Sequence, residues 1–131
     1  MLPGHVLIVE DDEATRDMLT TLIAGEGFIA VAAEDGLEAL HLLRTVCHHA
    51  PGTPCLVLLD LSMPRLGGNA FRQAQLADPI VARIPVALMS GAADVDHWAS
   101  ELGAVATVPK PLNLDFLLQV VRSHCAPAPQ A

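Results

Sequence analysis

The chain has 131 residues, and 52% of them are hydrophobic, which suits one domain with a full core and argues against disorder. Its formal net charge is -8, and its 7 lysines and arginines form no cluster, so we do not expect it to bind DNA or RNA. The start of the chain lacks the basic region of a signal peptide, and no apolar run is as long as a membrane span. The composition therefore predicts a single cytoplasmic domain that contacts neither nucleic acid nor membrane.

Strand and helix patterns alternate through the first half of the chain. The apolar run from His5 to Val9 is typical of a buried strand, and Asp12 is placed to cap a helix whose apolar residues recur at helical spacing as far as Ile23. Glycines at positions 25 and 27 end this helix, and the small residues from Phe28 to Ala33 predict a second strand. The next predicted elements are a helix with Leu37, Leu40, Leu43 and Cys47 on one face, and a loop from His48 to Pro54.

The second half continues this alternation around one strand that is apolar throughout. Leucine and valine fill the run from Cys55 to Asp60, and proline and glycine follow it, as is typical of a strand buried on both faces of a parallel sheet. The later predicted elements are a short helix with Ala70, Phe71, Ala74 and Leu76, a strand from Ile84 to Ser90, a helix from Ala92 to Leu102, a strand from Ala104 to Pro109, and a helix that Asn113 caps and that reaches Val121.

Five alternations of strand and helix predict an α/β fold, with a five-stranded parallel sheet and helices on both of its faces. Pro109 has no N–H group for the hydrogen bonds of the sheet, which suits a fifth strand at the outer edge. We expect residues 1-125 to form the domain. Residues 126-131, which are alanine, proline and glutamine, are expected to form a tail or the start of a linker.

Polar residues are predicted at the sheet edge where the parallel strands end, which is where open α/β sheets place their chemistry. Acids at positions 10 to 12 follow the first strand, Asp60 ends the third, Ser90 ends the fourth, and Lys110, the only lysine, follows the fifth. Mg²⁺ prefers carboxylate oxygens as ligands. A carboxylate can also attack phosphorus if a metal ion and an ammonium group offset the repulsion between the two anions. Three strand ends therefore contribute oxygens and one contributes an amine, and Asp60 is the residue expected to carry the chemistry of this edge.

Four short motifs at this edge occur in the order and spacing of a known family. They are Ile8-Val9-Glu10-Asp11-Asp12, the stretch from Leu58 to Pro64 with Gly68, Met89-Ser90-Gly91, and Val108-Pro109-Lys110-Pro111. From Val6 to about Val121 the sequence resembles the receiver domain of bacterial two-component response regulators. The resemblance implies the flavodoxin-like strand order 2-1-3-4-5 and a cis bond between Lys110 and Pro111.

The resemblance also implies a role for each residue of the site. Asp60 would accept the phosphoryl group, and Ser90 and Lys110 would bind its oxygens. The implied ligands of Mg²⁺, for which Mn²⁺ is expected to substitute, are Asp11, Asp60, Glu10 acting through water, and the backbone carbonyl of Ser62. The phosphoryl donor would be a sensor histidine kinase or a phosphotransfer protein, and the phosphorylated form would switch a partner or an output domain. Such a domain is not an enzyme, although it assists its own phosphorylation and dephosphorylation.

Some features depart from the family pattern without touching the phosphorylation residues, and three other function classes stay open on separate grounds. Thr107 stands where receivers commonly carry tyrosine or phenylalanine, and Gly67 stands where an acid is frequent. One alternative is a pseudo-receiver, an interaction module that is not phosphorylated. A second is a Mg²⁺-dependent aspartyl phosphatase, which needs a further aspartate where this chain has Ser62. A third is a flavodoxin-like cofactor binder, which needs a hydroxyl-rich loop where acids follow the first strand.

The cysteines are expected to be structural residues without bonds between them. Cys47, Cys55 and Cys125 are an odd number with no disulfide framework, so Cys55 is expected to act as a small apolar residue at a strand. A zinc site made from Cys47, His48, His49 and Cys55 is not expected either, because the spacing of these residues matches no common zinc site.

Overall fold

The computed structural model describes residues 5–49, 55–61, 68–79, 81–91 and 95–125. The strands are β1 (His5–Val9), β2 (Ile29–Ala33), β3 (Leu56–Asp60), β4 (Val86–Ser90) and β5 (Ala106–Pro109). The helices are α1 (Glu13–Gly25), α2 (Gly36–His49), α3 (Gly68–Leu76), α4 (Val95–Leu102) and α5 (Leu114–His124). No helix in this part of the chain combines the length and the apolar character that spanning a membrane requires.

The strands form one parallel sheet of 5 strands in the order β2-β1-β3-β4-β5, which confirms the predicted fold class and its flavodoxin-like order. β5 is the outermost strand on its side, and Pro109, its last residue, lies opposite Ser90 of β4. A proline is tolerated there because its missing N–H group interrupts no pairing in the interior of the sheet. The bond between Lys110 and Pro111 is cis, as expected from the resemblance.

Helices cover both faces of the sheet, because successive residues of a strand point to opposite sides. In β1, Val6 and Ile8 belong to one buried apolar cluster, and Leu7 and Val9 belong to another. Buried residues of α1 and α5 complete the first cluster, and buried residues of α2, α3 and α4 complete the second. Every residue of β3 is buried, as the apolar run before Asp60 predicted, and every residue of β4 is buried as well.

Some elements have different ends from those predicted, because helix ends and turns use the residues next to the strands. Phe28 and Ala104 donate their backbone N–H groups to the last turns of α1 and α4, so β2 and β5 begin after them. Ile84 donates to the carbonyl of Val81 in a turn before β4. α2 extends to His49, past the predicted start of the loop, and residues 50–54 of that loop lie outside the described residues.

The buried face of α3 is more polar than its sequence suggested. Phe71 is buried, but Arg72 and Gln75 are buried with it, whereas Leu76 is exposed. Hydrogen bonds of these two polar side chains join α3 to the end of α4 and to the turn before β4. Burial of a charged side chain is tolerated here because backbone carbonyls accept its hydrogen bonds.

A disulfide joins Cys55 to Cys125, so the expectation of unbonded cysteines is wrong. The two residues are 70 apart in sequence, and their Cα atoms are 5.5 Å apart, because the start of β3 and the end of α5 lie together in the fold. The number of cysteines could not reveal this pair, since their distance depends on how the elements pack. The bond also removes Cys55 as a ligand in the zinc alternative.

Candidate functional site

The side chains predicted to carry the chemistry lie at the edge of the sheet where the strands end. Glu10 follows β1, Asp60 is the last residue of β3, Ser90 is the last residue of β4, and Lys110 follows β5. β3 lies between β1 and β4 and pairs with both of them along its length. The parallel sheet therefore places these residues on neighbouring strand ends, as the sequence predicted.

A cluster of carboxylates occupies this edge. One carboxylate oxygen from each of Glu10, Asp11 and Asp60 lies within 4.8 Å of the others. Glu10 and Asp60 are buried, whereas Asp11 is exposed. The pKa of Asp11 is raised above its ordinary value. The largest cause is the partial burial of the Asp11 carboxyl group, and smaller causes are its hydrogen bond with Asp60 and the negative charge of Asp60. Negative groups this close together favour a cation beside them.

Glu10 gives the most direct indication that a cation fits the cluster. Its side chain is fully buried, and Oε1 accepts a hydrogen bond from Lys110. No donor among the described residues reaches Oε2, which is also buried. A buried carboxylate oxygen without a hydrogen-bond partner is unfavourable. Mg²⁺ takes a few carboxylate oxygens as ligands and keeps several bound waters. The three carboxylates therefore fit the Mg²⁺ that the sequence implied.

Lys110 lies between two of these carboxylates. Its Nζ is 2.8 Å from Oε1 of Glu10 and 3.5 Å from Oδ2 of Asp60. Burial lowers the pKa of Lys110, but the hydrogen bond with Glu10 and the negative charges of Asp60 and Glu10 outweigh burial and raise the pKa above its ordinary value. The ammonium group is therefore charged at neutral pH and can bind an anionic group that approaches Asp60.

Asp12 and Arg16 hold the backbone of the acidic loop. Oδ2 of Asp12 accepts hydrogen bonds from the backbone N–H of Thr15 at 2.9 Å and from its hydroxyl at 2.6 Å, so Asp12 caps α1 as predicted. The hydrogen bond from the Thr15 hydroxyl has the largest effect and that from the Thr15 backbone N–H the next largest, and both lower the pKa of Asp12. Nη1 of Arg16 donates to the carbonyl of Glu10 at 3.0 Å and lies 3.4 Å from the carbonyl of Asp11. The sequence did not single out Arg16, because an arginine in the first turn of a helix carries no local sign of a loop contact.

The other predicted site residues are less completely described. Ser90 is buried, and its carbonyl accepts the backbone N–H of Lys110 at 2.9 Å. Ser62 lies outside the described residues, so its role as a metal ligand stays a prediction. Thr107 is half-buried in β5, opposite Leu88 of β4. The side chains of residues 46–49, which the zinc alternative would need, also lie outside the described part of the chain.

Comparison with known proteins identifies the family of the chain. The family model of the response regulator receiver domain matches residues 6–122. The chain belongs to the response regulator receiver family. It is therefore a signalling domain of the two-component type, as the motifs indicated, and receiver domains bind Mg²⁺ through an acidic cluster of the kind formed by Glu10, Asp11 and Asp60.

Relatives and solved structures agree with this assignment. The chain is 35% identical over 122 residues to regulatory protein AtoC of Escherichia coli (strain K12). This match covers 91% of the chain and 24% of AtoC. It is 32% identical to response regulator MprA of Mycobacterium sp. (strain KMS), over 93% of the chain and 50% of MprA. The crystal structure of a response regulator receiver protein from Pseudomonas putida matches with a TM-score of 0.80 and 27% identity, over 94% of this chain and 98% of that one. The chain thus spans a quarter to a half of the length of these curated relatives.

Proposed function

We propose that this domain accepts a phosphoryl group on Asp60 from the phosphohistidine of a sensor histidine kinase or a phosphotransfer protein. A carboxylate oxygen of Asp60 attacks phosphorus, the bond between phosphorus and the imidazole nitrogen breaks, and that nitrogen takes the bonding electrons. The observation that carries the proposal is the position of Asp60, a buried carboxylate at a strand end that lies 3.5 Å from Lys110 and within a cluster of carboxylates.

The charges of the site offset the repulsion between an anionic carboxylate and an anionic phosphoryl group. In this proposal, Lys110 binds a phosphoryl oxygen through its ammonium group, and Ser90 donates its hydroxyl to another. Bound Mg²⁺ would supply further positive charge at the transferring group. The groups that would hold the ion are Glu10, Asp11, Asp60 and the backbone carbonyl of Ser62. Mn²⁺, which also prefers oxygen ligands, is proposed to substitute for it.

A groove beside Lys110 is the proposed contact surface for the phosphoryl donor. It has a volume of about 310 Å³, and its lining residues are Thr15, Met18, Lys110, Pro111, Leu112 and Leu114. Met18 is 40% exposed, so apolar surface is available to a partner next to the acidic edge. A protein bound in this groove would hold its phosphohistidine near Asp60, because Lys110 belongs both to the groove and to the site.

The role of the domain in a larger protein is part of the same proposal. We propose that residues 1-125 form the receiver domain and that residues 126-131 form a tail or the start of a linker. Phosphorylation then switches an output domain or a separate partner in the cytoplasm, and the domain turns over no substrate beyond assisting its own phosphorylation and dephosphorylation. The greater length of AtoC and MprA, of which this chain covers 24% and 50%, supports such an arrangement.

Labelling with a small phosphodonor tests the proposal. The purified chain is incubated with phosphoramidate, whose phosphorus–nitrogen bond resembles that of phosphohistidine, and the intact mass is measured. We expect a single added phosphoryl group in the presence of Mg²⁺ and none in the presence of a chelator. Asp60→Asn should abolish labelling. Asp115→Asn, which changes an exposed carboxylate on α5, is the matched control and should be labelled like the parent.

Other outcomes of this experiment distinguish the alternatives. A pseudo-receiver would show no labelling under any condition. An aspartyl phosphatase would release phosphate continuously from the donor, and its phosphorylated form would be short-lived. Labelling of Asp60→Asn to the extent of the parent would place the acceptor elsewhere in the chain.

A further inference from the structure

A pair of bonded cysteines lies at the opposite end of β3 from Asp60. Cys55 directly precedes β3, Cys125 directly follows α5, and a disulfide joins their sulfur atoms. We propose that this pair is a reversible redox site, oxidised by a hydroperoxide and reduced by a dithiol. Its oxidation fixes the end of α5 to the sheet and leaves the chemistry at Asp60 unchanged. The inference does not depend on the proposed function.

The surroundings of the pair accommodate the reduced form as well as the disulfide. Cys125 is 7% exposed and belongs to the apolar cluster on the α1 and α5 face, where a free thiol packs as a small apolar group. Sγ of Cys55 lies 3.1 Å from the carbonyl oxygen of His5, which can accept a hydrogen bond from the thiol once the disulfide is reduced. The Cα separation of 5.5 Å falls within the range of disulfides. The surroundings of the pair therefore suit a thiol at each position as well as the disulfide.

The different exposure of the two cysteine residues sets the order of the reaction. Cys55 is half-buried and Cys125 is buried, so a peroxide reaches Cys55 first. The thiolate of Cys55 attacks one oxygen of hydrogen peroxide, a sulfur–oxygen bond forms, the oxygen–oxygen bond breaks, and hydroxide leaves. The thiolate of Cys125 then attacks Sγ of Cys55, the disulfide bond forms, the sulfur–oxygen bond breaks, and a second hydroxide leaves. The two thiol protons convert both hydroxides to water, so one peroxide is reduced as two thiols are oxidised.

The crosslink acts on the end of α5. Cys125 is the residue that caps this helix, and its N–H donates to the carbonyl of Val121 at 2.9 Å. Helix ends open more readily than helix centres, and a covalent bond to the residue before β3 opposes that opening. Asp60 stands at the other end of this strand, about 17 Å from Cys55 for an extended chain of this length. Oxidation should therefore change the end of α5 without reaching the acidic edge.

Counting free thiols tests the redox step. The chain has 3 cysteines, and the fully reduced chain should take up an alkyl group on each of them in denaturant. After treatment with hydrogen peroxide, only Cys47 should be alkylated, and peptide mapping should join residues 55 and 125 of the same chain. Cys47→Ser is the matched control and should still form the crosslink. If every cysteine stays alkylatable after peroxide, or if the bond joins two chains, the proposal is wrong.

The order of attack has its own test. Both variants of this test also carry Cys47→Ser, so that each keeps a single cysteine. In Cys125→Ser, the sulfenic acid on Cys55 then has no thiol of the same chain to react with, and dimedone should trap it. In Cys55→Ser, dimedone should label Cys125 about ten times more slowly, because oxidation follows exposure of the sulfur. Alanine replaces serine at either position if the serine variant does not fold. Equal rates of labelling would contradict the assignment of Cys55 as the first residue to react.

Hydrogen exchange measures the effect on α5. Oxidation should slow exchange of the amides of residues 121 to 125 by about tenfold, whereas Cys125→Ala should exchange like the reduced parent with or without peroxide. The rate at which phosphoramidate labels Asp60 should be the same in both redox states. Unchanged exchange at the end of α5, or a changed rate of labelling at Asp60, would overturn the proposed effect of the crosslink. The thiol measurements stand whether or not Asp60 is labelled, so failure of the proposed function is recognised separately.

Discussion

Replacing Gln75 with leucine tests how strongly the buried polar pair of α3 stabilises the domain. Oε1 of Gln75 accepts a hydrogen bond from Nη1 of Arg72 at 2.9 Å, and Nε2 donates to the carbonyls of Val81 at 2.9 Å and Ile84 at 3.0 Å. Gln75 is fully buried and Arg72 is 7% exposed. Burial also lowers the pKa of Arg72, in keeping with a guanidinium that water reaches poorly. Water is therefore not expected to replace the bonds that the substitution removes.

The magnitude follows from the groups that Gln75→Leu leaves without partners. A hydrogen bond to a charged group contributes about 2 kcal/mol and each neutral one about 1 kcal/mol, so the three bonds of Gln75 contribute about 4 kcal/mol in total. Burial of the leucine side chain recovers about 1 kcal/mol. The expected loss in the free energy of unfolding is therefore about 3 kcal/mol, which lowers the melting temperature by about 10 °C.

Urea unfolding followed by circular dichroism measures this loss, and two further variants show whether it comes from the polar pair. Gln119→Leu changes an exposed glutamine on α5 and should alter stability by less than about 0.5 kcal/mol. The double variant with Arg72→Leu should cost about 2 kcal/mol less than the sum of the single variants, because each single change leaves a partner unpaired. The reasoning would be refuted if Gln75→Leu lowered the free energy of unfolding no more than Gln119→Leu does. It would also be refuted if the effects of Gln75→Leu and Arg72→Leu on the free energy of unfolding were additive in the double variant.

Three further predictions concern the acidic edge. Asp11→Ala should weaken Mg²⁺ binding about tenfold in titration calorimetry, because few carboxylates hold the ion; unchanged affinity would mean that the ion binds elsewhere. The phosphorylated form should hydrolyse slowly. The resemblance to receivers assigns to Ser62 and Ala92 the two positions beside the path of the attacking water, and a short hydroxyl and a methyl group orient water poorly. Ser62→Asn combined with Ala92→Glu should then shorten its lifetime, and equal rates of phosphate release at the same Mg²⁺ concentration would exclude this argument. Folding lowers the pKa of Asp12 from its ordinary value of 3.8. Ionised Asp12 therefore stabilises the folded domain above pH 3.8, and this stabilisation is lost as the pH falls through the pKa of the folded state. The difference in melting temperature between the parent and Asp12→Asn should therefore shrink on acidification, and a constant difference would contradict the role of ionised Asp12.

The acidic edge could be predicted from sequence because it depends on where strands end. The apolar run before Asp60 indicated a central buried strand, and a parallel sheet brings the carboxyl ends of its strands to one edge. Glu10 and Lys110 follow other strands of that sheet, so they lie at the same edge as Asp60 whatever the loops between them do. The order of the strands came from the resemblance alone, and the sheet confirms it.

The buried polar pair and the disulfide could not be predicted because their partners are distant in sequence. Arg72 and Gln75, at helical spacing, look like a solvated face of a helix. They are buried because carbonyls of other segments accept their hydrogen bonds, including that of Leu102, which is 30 residues from Arg72. Cys55 and Cys125 are 70 residues apart, and no local pattern reports which turn of a helix will meet which end of a strand.

The balance of charge at the acidic edge indicates why Lys110 is needed even when a metal ion is present. When all are ionised, three carboxylates and one ammonium group leave two negative charges in excess, and a divalent cation would neutralise them. Lys110→Met would leave one negative charge with the cation bound, and an anionic phosphoryl donor would be repelled in surroundings that screen charge poorly. Lys110→Met should therefore slow labelling by phosphoramidate by at least about tenfold at saturating Mg²⁺. Labelling at the rate of the parent would mean that Lys110 acts only as the partner of buried Glu10.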